Sequence, residues 1–351
     1  MNLYDACKPF LFSLPPETAH TVVSRGLEAV QGTPAETLLR NQYVVDDERL
    51  ATESFGLRFP NPVGVAAGFD KNARLPNALA AIGFGHVEVG GVTAEAQKGN
   101  SRPRMFRLRP DRALINRMGF NNEGADAIGA RLDDTALPHV PVGVNLGKSK
   151  STPLSDAPAD YRYTYERVAD AADYFVINVS SPNTPGLRSL QNRESLEAIV
   201  DELQDAGAAP LLVKLSPDLS GPAIEESLEV VAEKGLDGVV VANTSTERPE
   251  GLKSPNKAEP GGLSGDPIEE RSTGLVGFVA ERTHVPVVGV GGVSDAEGAY
   301  RKLRAGADVV QLYTGLVYEG PSLAREINEG LLDLLDRDGF DHVSEAVGVD
   351  L

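Results

Sequence analysis

Polar residues stand at the ends of several short apolar runs, where they could bind a ligand or move a proton. The run 174–181 contains Asn178 and Ser181, and the run 211–216 contains Lys214. Asparagine supplies both a hydrogen-bond donor and an acceptor, and lysine supplies a positive charge. A single asparagine at such a place is more often a turn residue than a ligand-binding residue. Because six runs end in this way, the pattern favours a binding site.

Two lysines, Lys71 and Lys214, stand at the ends of apolar runs. A buried lysine is costly unless it meets an anion or carbonyl oxygens. One interpretation is a structural ion pair. The other is a positive charge beside an electron-accepting ring or a substrate carboxylate.

The segment 177–188 contains no histidine, aspartate or glutamate, so its candidate bases are Ser180 and Ser181. A serine alcohol is a weak base that needs hydrogen-bond partners and a path for the proton, and Thr184 is the nearest candidate for that path. An ordinary turn serine next to Pro182 is the alternative. No Ser-His-Asp spacing supports a hydrolase.

Glycines in the segments 289–295 and 312–315 favour a phosphate site. Glycine lets the backbone approach a phosphate closely, and barrels often hold a phosphate after their seventh and eighth strands. The hydroxyl of Thr314 could add a contact. The first segment resembles a dinucleotide-binding fingerprint, but Ser294 replaces its last glycine and the segment lies late in the chain. We therefore expect a phosphate-bearing ligand that is not bound in a Rossmann fold.

Eight Val-rich apolar runs recur beyond residue 60, as expected for parallel strands that are buried on both faces. Helical patterns separate several of them, such as the stripe of Ile224, Leu228, Val231 and Ala232 that ends before Gly235. This alternation predicts a (β/α)8 TIM barrel in the α/β class, and a doubly wound open sheet is the alternative. The predicted strands are 63–68, 86–92, 141–147, 174–181, 211–216, 238–244, 285–292 and 308–315.

A short helix pair precedes the barrel, and we assign residues 1–45 to this small helical domain and residues 46–351 to the barrel. The second helix is predicted to begin at Pro16 and to end near Gly32. Its apolar face comprises Ala19, Val22, Val23, Leu27 and Val30. 

Two Pro-containing insertions, 101–122 and 244–267, follow the second and the sixth predicted strands. Loops at these places carry the function of a barrel. We therefore expect both insertions to lie beside the site.

The chain of 351 residues has 33 Lys and Arg against 51 Asp and Glu, a formal net charge of −18. This acidity argues against a nucleic-acid partner, because phosphate binding needs an excess of basic residues. Only 10 of the basic residues are lysines. An acidic, Lys-poor surface suits a protein that works in concentrated salt, where its self-repulsion is screened. We therefore predict a halophilic source.

A single cysteine, Cys7, excludes an internal disulfide and a Cys-ligated metal site, and the five histidines show no metal-binding spacing. No apolar run is as long as the about 18 residues of a membrane span. The N-terminus lacks the features of a signal peptide. We expect a cytoplasmic protein without a bound metal.

Ten motifs make the sequence similar to the class 2 dihydroorotate dehydrogenases, the membrane-associated, quinone-reducing class. The resemblance runs from the N-terminal helices to about residue 330, and several motifs are long and rare. They are AAGFDKN (66–72), GNSRPRMFRL (99–108), INRMGFNN (115–122), VNLGKSK (144–150), INVSSPNTPGLRSLQ (177–191), VKLSPDLS (213–220), ANT (242–244), GGLSG (261–265), VGVGGV (288–293) and QLYTG (311–315).

The resemblance implies a barrel that binds one FMN. Its phosphate would contact Gly265, Gly291, Gly292, Tyr313 and Thr314. The other residues of the cofactor site would be Ala67, Gly68, Phe69, Asp70, Lys71, Gly91, Asn145, Asn178, Lys214 and Ala242.

Dihydroorotate would be oxidised to orotate on the flavin face, as a step of pyrimidine synthesis. Ser181 would remove the C5 proton while a hydride leaves C6 for the flavin. Thr184 and Phe120 would shape the exit of the proton. The substrate would contact Lys71, Asn116, Arg117, Met118, Gly119, Phe120, Asn178, Asn183, Asn243 and Thr244.

The resemblance also implies a membrane quinone that reoxidises the flavin through a tunnel lined by His20, Arg107 and Tyr313. The N-terminal helices would contact the cytoplasmic face of the membrane peripherally. Class 1 relatives lack this helix pair and carry a cysteine base where this chain has Ser181. The alternatives are a soluble, class 1-like FMN barrel that uses fumarate or NAD, and a phosphate-binding barrel without flavin.

The chain departs from the family pattern at three places. The family usually has Thr or Ser at the position of Gly91 and Thr at the position of Ala242. Loss of one hydroxyl contact costs about 1 kcal/mol, so flavin binding should survive. The acidic segment 336–351 extends past the usual end, and we expect it to be a solvated extension without a function.

Overall fold

Eight parallel strands close into a barrel in the computed structural model, which describes residues 3–351. The strands of this range are β1 (Thr52–Ser54), β2 (Leu57–Phe59), β3 (Val63–Val65), β4 (His86–Val92), β5 (Met105–Leu108), β6 (Ala113–Asn116), β7 (Val142–Leu146), β8 (Tyr174–Asn178), β9 (Leu211–Lys214), β10 (Gly238–Val241), β11 (Gly262–Gly265), β12 (Val287–Val290) and β13 (Val309–Leu312). The barrel runs in the order β3, β4, β7, β8, β9, β10, β12, β13, and β13 pairs with β3. Each barrel strand lies within one predicted run. The predicted barrel is confirmed, and the open sheet is wrong.

Helices connect the strands and cover the outside of the barrel. Those of the described range are α1 (Leu3–Ser13), α2 (Pro16–Val30), α3 (Pro34–Tyr43), α4 (Pro76–Ala81), α5 (Ala125–Asp133), α6 (Ala157–Val168), α7 (Arg193–Asp205), α8 (Gly221–Lys234), α9 (Glu269–Ala280), α10 (Ala296–Arg304), α11 (Thr314–Glu319) and α12 (Leu323–Asp338). The predicted helix before Gly235 is confirmed as α8, and Gly235 ends it in the left-handed conformation. Of the residues in its predicted apolar stripe, Ile224, Leu228 and Val231 are buried, whereas Ala232 is exposed.

The alternation of side chains along the strands separates two parts of the core. On β8, Phe175 and Ile177 pack under the helices, whereas Tyr174 and Val176 belong to a cluster inside the barrel. The β1–β2 hairpin adds Phe55 and Phe59 to this inner cluster at the end where the strands begin. That end is filled with side chains, which leaves the opposite end for a ligand.

The two predicted insertions combine into one antiparallel sheet at the end of the barrel where the strands finish. Strands β5 and β6 come from the insertion 101–122, and β11 comes from the insertion 244–267. β6 is the central strand, and its Asn116 pairs with Met105 on one side and with Gly262 on the other. The sheet therefore fixes Asn116 beside the mouth of the barrel.

Three helices precede the hairpin, one more than the predicted pair. Pro16 begins α2 as predicted, and Val22 of the predicted apolar face is exposed. Each of the three helices exposes a large apolar side chain, namely Phe10 (64 %), Val22 (48 %) and Leu38 (68 %). Within residues 3–351, no helix has the length and apolar character needed to cross a membrane.

The C-terminal segment is packed against the barrel, which corrects the expectation of a solvated extension. Val343 and Ala346 are buried in the main core. The backbone N–H of Gly348 donates to the carbonyl of Leu303 over 3.1 Å, and Asp350 forms an ion pair with the same helix. The segment looks polar because it is rich in acidic residues, but Val343 and Ala346 are three residues apart and both face the core.

Candidate active site

A cleft opens at the end of the barrel where the strands finish, beside the sheet of β5, β6 and β11. Most predicted site residues line it. They are Ala67, Gly68, Lys71, Gly91, Asn116, Met118, Gly119, Phe120, Asn178, Ser181, Asn183, Lys214, Ala242, Asn243, Thr244, Gly265, Gly291, Gly292, Tyr313 and Thr314.

A chain of amide side chains crosses the floor of the cleft from β7 to the end of β10. Asn178 Nδ2 donates to Asn145 Oδ1 over 2.7 Å, and Asn243 Nδ2 lies 3.4 Å from Asn178 Oδ1. Ser180 joins the chain, because its hydroxyl accepts from Asn243 Nδ2 over 2.9 Å and lies 3.1 Å from Asn178 Oδ1. These bonds fix which amide atoms remain free to meet a ligand.

Glu88 of β4 lies inside the barrel, where it is completely buried, and holds the Asn145 end of the row of amide side chains. Its two carboxylate oxygens accept hydrogen bonds of 2.8 Å from Asn145 Nδ2 and from Gln311 Nε2. Lys214 Nζ lies 3.8 Å from Glu88 Oε1. The carboxylate therefore orients two amides and balances the charge of the lysine that ends β9.

Lys71 presents the second positive charge to the cleft. Its ammonium group donates to the carbonyl oxygen of Gly68. Burial lowers the pKa of Lys71 to about 8, against the opposing effects of Asp70 and Glu17. The side chain is thus mostly charged at neutral pH and available to an anion.

Ser181 lines the cleft with 8 % of its surface exposed, immediately beyond the strand that carries Asn178. Its hydroxyl oxygen accepts from the backbone N–H of Asn183 over 3.3 Å. Asn183 Nδ2 in turn lies 3.3 Å from Asn116 Oδ1 on β6. Thr184 is buried behind this turn and does not line the cleft.

The ring of Phe120 packs closely against two glycines, Gly91 and Gly147. A Cβ atom on Gly91 would come within 2.7 Å of this ring, and one on Gly147 within 3.3 Å. Phe120 itself has a φ of +50°, which is uncommon for a residue other than glycine. The glycine at position 91 is therefore matched to the position of Phe120.

Three glycines with positive φ form a cradle at the other end of the cleft: Gly265 (+102°), Gly291 (+121°) and Gly292 (+76°). A Cβ on Gly292 would lie 2.3 Å from the Cα of Glu269, so no other residue fits there without a shift. The hydroxyls of Ser264 and Thr314 lie 2.8 Å apart beside it. Bare backbone and hydroxyls are the groups that bind a phosphate.

Several predicted residues have side chains that do not line the cleft. The carboxylate of Asp70 accepts from the backbone N–H groups of Asn72, Arg74 and Leu75, which gives it a role in the turn. Arg117 pairs with Glu259 outside the cleft. The full set outside the lining is Phe69, Asp70, Asn145, Arg117, Thr184, His20 and Arg107.

A second cavity lies between α2 and the barrel, and Lys71 borders both spaces. His20 lines it and approaches the carbonyl oxygen of Phe69 with Nε2 at 2.9 Å. The Phe69 ring packs edge-on against both His20 (5.1 Å) and Tyr313 (5.5 Å). Burial and the neighbouring Lys71 lower the pKa of His20 to about 3. A row of three rings therefore leads from this cavity to the cleft.

Arg107 lies apart from that row, under the turn between α1 and α2. Its guanidinium donates to the carbonyl oxygens of Leu14 (2.8 Å) and Leu11 (3.3 Å), and it stacks 4.7 Å from the ring centre of Phe12. Burial lowers the pKa of Arg107. The arginine holds the helical segment on the barrel.

Sequence reasoning did not identify Glu88, Gln311 or Ser264. The signal was present for the first two, since each is a polar residue within an otherwise apolar strand. Gln311 lines the cleft, and besides its bond to Glu88 its side chain interacts with the buried hydroxyl of Tyr174.

The dihydroorotate dehydrogenase family profile matches residues 49–335. The chain belongs to the dihydroorotate dehydrogenase family. A protein of Natronomonas pharaonis named dihydroorotate dehydrogenase (quinone) is 64 % identical over all of both chains. A protein of Halobacterium salinarum with the same name is 63 % identical over 99 % of this chain and 100 % of its own. Both sources are halophilic, in line with the prediction from the charge.

A solved structure of the dihydroorotate dehydrogenase family has the same fold. The crystal structure of DHODH from Eimeria tenella in complex with ferulenol has a TM-score of 0.88 and 40 % identity, and covers 95 % of each chain. A ligand-free structure from the same organism has the same TM-score and identity, and covers 95 % of this chain and 99 % of that one.

Proposed function

We propose that this protein oxidises dihydroorotate to orotate and passes the electrons through a bound flavin to a quinone, as a step of pyrimidine synthesis. The observation that carries the proposal is a single cleft that unites a glycine cradle, a chain of amide side chains and Ser181. Family membership and relatives named for the quinone-dependent enzyme support the same reaction.

FMN is the flavin that we propose for this cleft. Its phosphate would lie in the cradle of Gly265, Gly291 and Gly292, where bare backbone and the Thr314 hydroxyl are present. Its ring would lie beside Lys214 and Gln311, which both line the cleft. When bound, the flavin accepts a hydride and returns two electrons to a second substrate.

The substrate would lie on the amide chain. The edge of dihydroorotate alternates C=O and N–H groups, and Asn116, Asn178, Asn183 and Asn243 each offer a donor and an acceptor. Lys71 would bind the substrate carboxylate, since its ammonium group is charged below a pH of about 8. Arg117 would position the loop through its ion pair with Glu259 rather than touch the substrate.

Ser181 would act as the base. It would take the proton from C5 while a hydride leaves C6, and these two hydrogens account for the oxidation of dihydroorotate to orotate. The N–H of Asn183 fixes the Ser181 hydroxyl at the cleft wall. Thr184 is buried outside the lining of the cleft, which suits a path for the proton, whereas Phe120 lines the cleft and would shape both that path and the substrate site.

The quinone would approach through the cavity between α2 and the barrel, along His20, Phe69 and Tyr313. A histidine that stays neutral at physiological pH suits an uncharged quinone ring. Arg107 would keep the helical segment in place above this path.

Residues 1–45 would provide peripheral contact with the cytoplasmic face of the membrane. Phe10, Val22 and Leu38 expose apolar surface on three adjacent helices. The first 40 residues carry four acidic and three basic side chains, so most of the net charge of −18 lies elsewhere. The barrel therefore repels anionic lipids more than this segment does.

Vesicle flotation tests this membrane contact. Substitution of Phe10, Val22 and Leu38 together by serine should release the protein from vesicles of archaeal lipid, because the exposed apolar area is lost. The matched control is Val349→Ser, which removes an exposed apolar side chain (45 %) from the other end of the chain. Equal flotation of both variants would refute the proposed contact.

Acceptor choice tests the proposed reaction. The purified protein with dihydroorotate should reduce a quinone, and should reduce neither fumarate nor NAD. Turnover with fumarate or NAD but not with quinone would favour the class 1-like alternative.

A further inference from the structure

A lysine is buried directly behind the glycine cradle. Lys302 of α10 has no exposed surface. Its ammonium group donates to two neutral hydroxyls, Ser272 Oγ at 2.8 Å and Thr273 Oγ1 at 2.9 Å, both on α9. Within residues 3–351, no carboxylate lies within 4.0 Å of this ammonium group. A fully buried cation without an ion-pair partner is rare and costly.

Hydrogen bonds connect this lysine to the cradle. Ser272 Oγ, which accepts from Lys302, also donates to the carbonyl oxygen of Gly291 over 2.8 Å. The lysine stem lies flat on β12, where a Cβ on Gly289 would come within 2.7 Å of its Cδ. The glycines of the segment 289–292 thus have two roles. Gly289 leaves space for the Lys302 side chain on the outer face of β12, and Gly291 and Gly292 form the cradle at the cleft.

The neighbouring charges do not neutralise Lys302. Glu269 raises the pKa of Lys302, but Arg301, which donates to the Glu269 carboxylate, lowers it. Arg112, behind Gly265, is paired with both Asp266 and Glu319. Burial lowers the pKa of Lys302 to about 7, which reflects the missing counter-ion. An anion in the cradle would supply it.

We infer that Lys302 is the positive charge that attracts the phosphate of the flavin and makes the site selective for a phosphorylated flavin over riboflavin. This inference rests on the proposed function. Lys302 acts as a positioning residue, because Ser272 and Gly291 stand between its ammonium group and the cleft. Since the charge is buried, concentrated salt screens it far less than a surface charge.

The test compares FMN with riboflavin. The full chain, freed of flavin by dialysis, is titrated with each flavin while the flavin fluorescence is measured. In Lys302→Met the affinity for FMN should fall about 10- to 100-fold, as expected for loss of a buried charge near a dianion, whereas the affinity for riboflavin should not change. The loss should persist in high salt.

Two further variants separate charge from packing. Lys302→Gln removes the charge but can still donate to the two hydroxyls, and it should show the same loss for FMN alone. Lys148→Met removes a second buried lysine, whose ammonium donates to backbone carbonyls beyond β7, four strands away from β12. This control should bind both flavins like the unaltered protein.

Three outcomes would overturn the inference. Unchanged FMN affinity in both Lys302 variants would show that the charge does not act on the phosphate. An equal loss of FMN and riboflavin would show that Lys302 only supports the fold. Failure of the unaltered protein to bind either flavin would instead overturn the proposed function, and the inference with it.

Discussion

The two ends of the cleft are built from different materials. Beside strands β7 to β10, the surface of the cleft consists of side chains. Buried Glu88 and the chain of amide side chains fix the orientation of these side chains. Beside strands β11 to β13, the surface of the cleft consists of backbone, because the residues there are glycines with positive φ and have no side chains. The difference shows how one barrel can separate chemistry from cofactor retention. Changes at the first end should alter the reaction, and changes at the second should alter flavin binding.

Ser181→Ala offers the largest expected effect at the end made of side chains. Loss of the base should slow flavin reduction by dihydroorotate about 100- to 10,000-fold at neutral pH, with the flavin retained. Stopped-flow absorbance measures this rate. Ser180→Ala is the control, because its hydroxyl is bound within the amide chain, and its effect should be smaller. If both variants slowed the reaction equally, Ser181 would not be distinct as the base.

Glu88→Gln tests the support beneath the same end. Asn145 and Gln311 both donate N–H groups to this carboxylate. In the variant the NH2 group of the new glutamine must face one of these donors, so at least one hydrogen bond is lost. Lys214 also loses its counter-ion. The free energy of unfolding should fall by about 3–5 kcal/mol. Denaturant titration measures it, with exposed Glu53→Gln as the control. A change below about 0.5 kcal/mol, typical of a surface substitution, would refute the role of Glu88.

Gly292→Ala tests the end made of backbone. The added Cβ would meet the backbone of Glu269 at a φ of +76°, a strain of about 1–3 kcal/mol. The purified variant should contain less flavin per chain than the unaltered protein. Gly274→Ala is the control, since a Cβ on this helical glycine meets nothing within 4 Å. Full flavin content in the Gly292 variant would contradict the assignment of the cradle.

The pH dependence of substrate binding gives the smallest effect. The pKa of Lys71 is lowered by burial to about 8, so the ammonium group is charged below that pH and loses its charge above it. The KM for the anionic substrate should therefore rise about tenfold between pH 7 and pH 9. In Lys71→Gln the KM should be high throughout and lack this rise. A flat profile in the unaltered protein would exclude Lys71 from carboxylate binding.

The sequence predicted the barrel well because buried parallel strands leave an unmistakable pattern. Runs such as 238–244 are apolar on both faces, and no surface helix looks like this. The same pattern explains why most predicted site residues line the cleft, since many of them stand at or near the end of such a run. It failed where burial depends on distant contacts. The C-terminal segment looks polar, yet Val343 and Ala346 reach the core.

Side-chain direction was the other limit. The family motif implied that Asp70 binds the cofactor, but its carboxylate accepts hydrogen bonds from three backbone N–H groups of its own turn and does not line the cleft. Glu88 was missed because its partner Gln311 is 223 residues away in the sequence. Such contacts become visible only when the strands are assembled.

The visible spectrum of the purified protein tests the central claim most directly. The protein should be yellow, should lose its flavin absorbance when dihydroorotate is added without oxygen, and should regain it when quinone is added. A colourless protein that takes up no FMN, or a flavin that dihydroorotate does not bleach, would contradict the account.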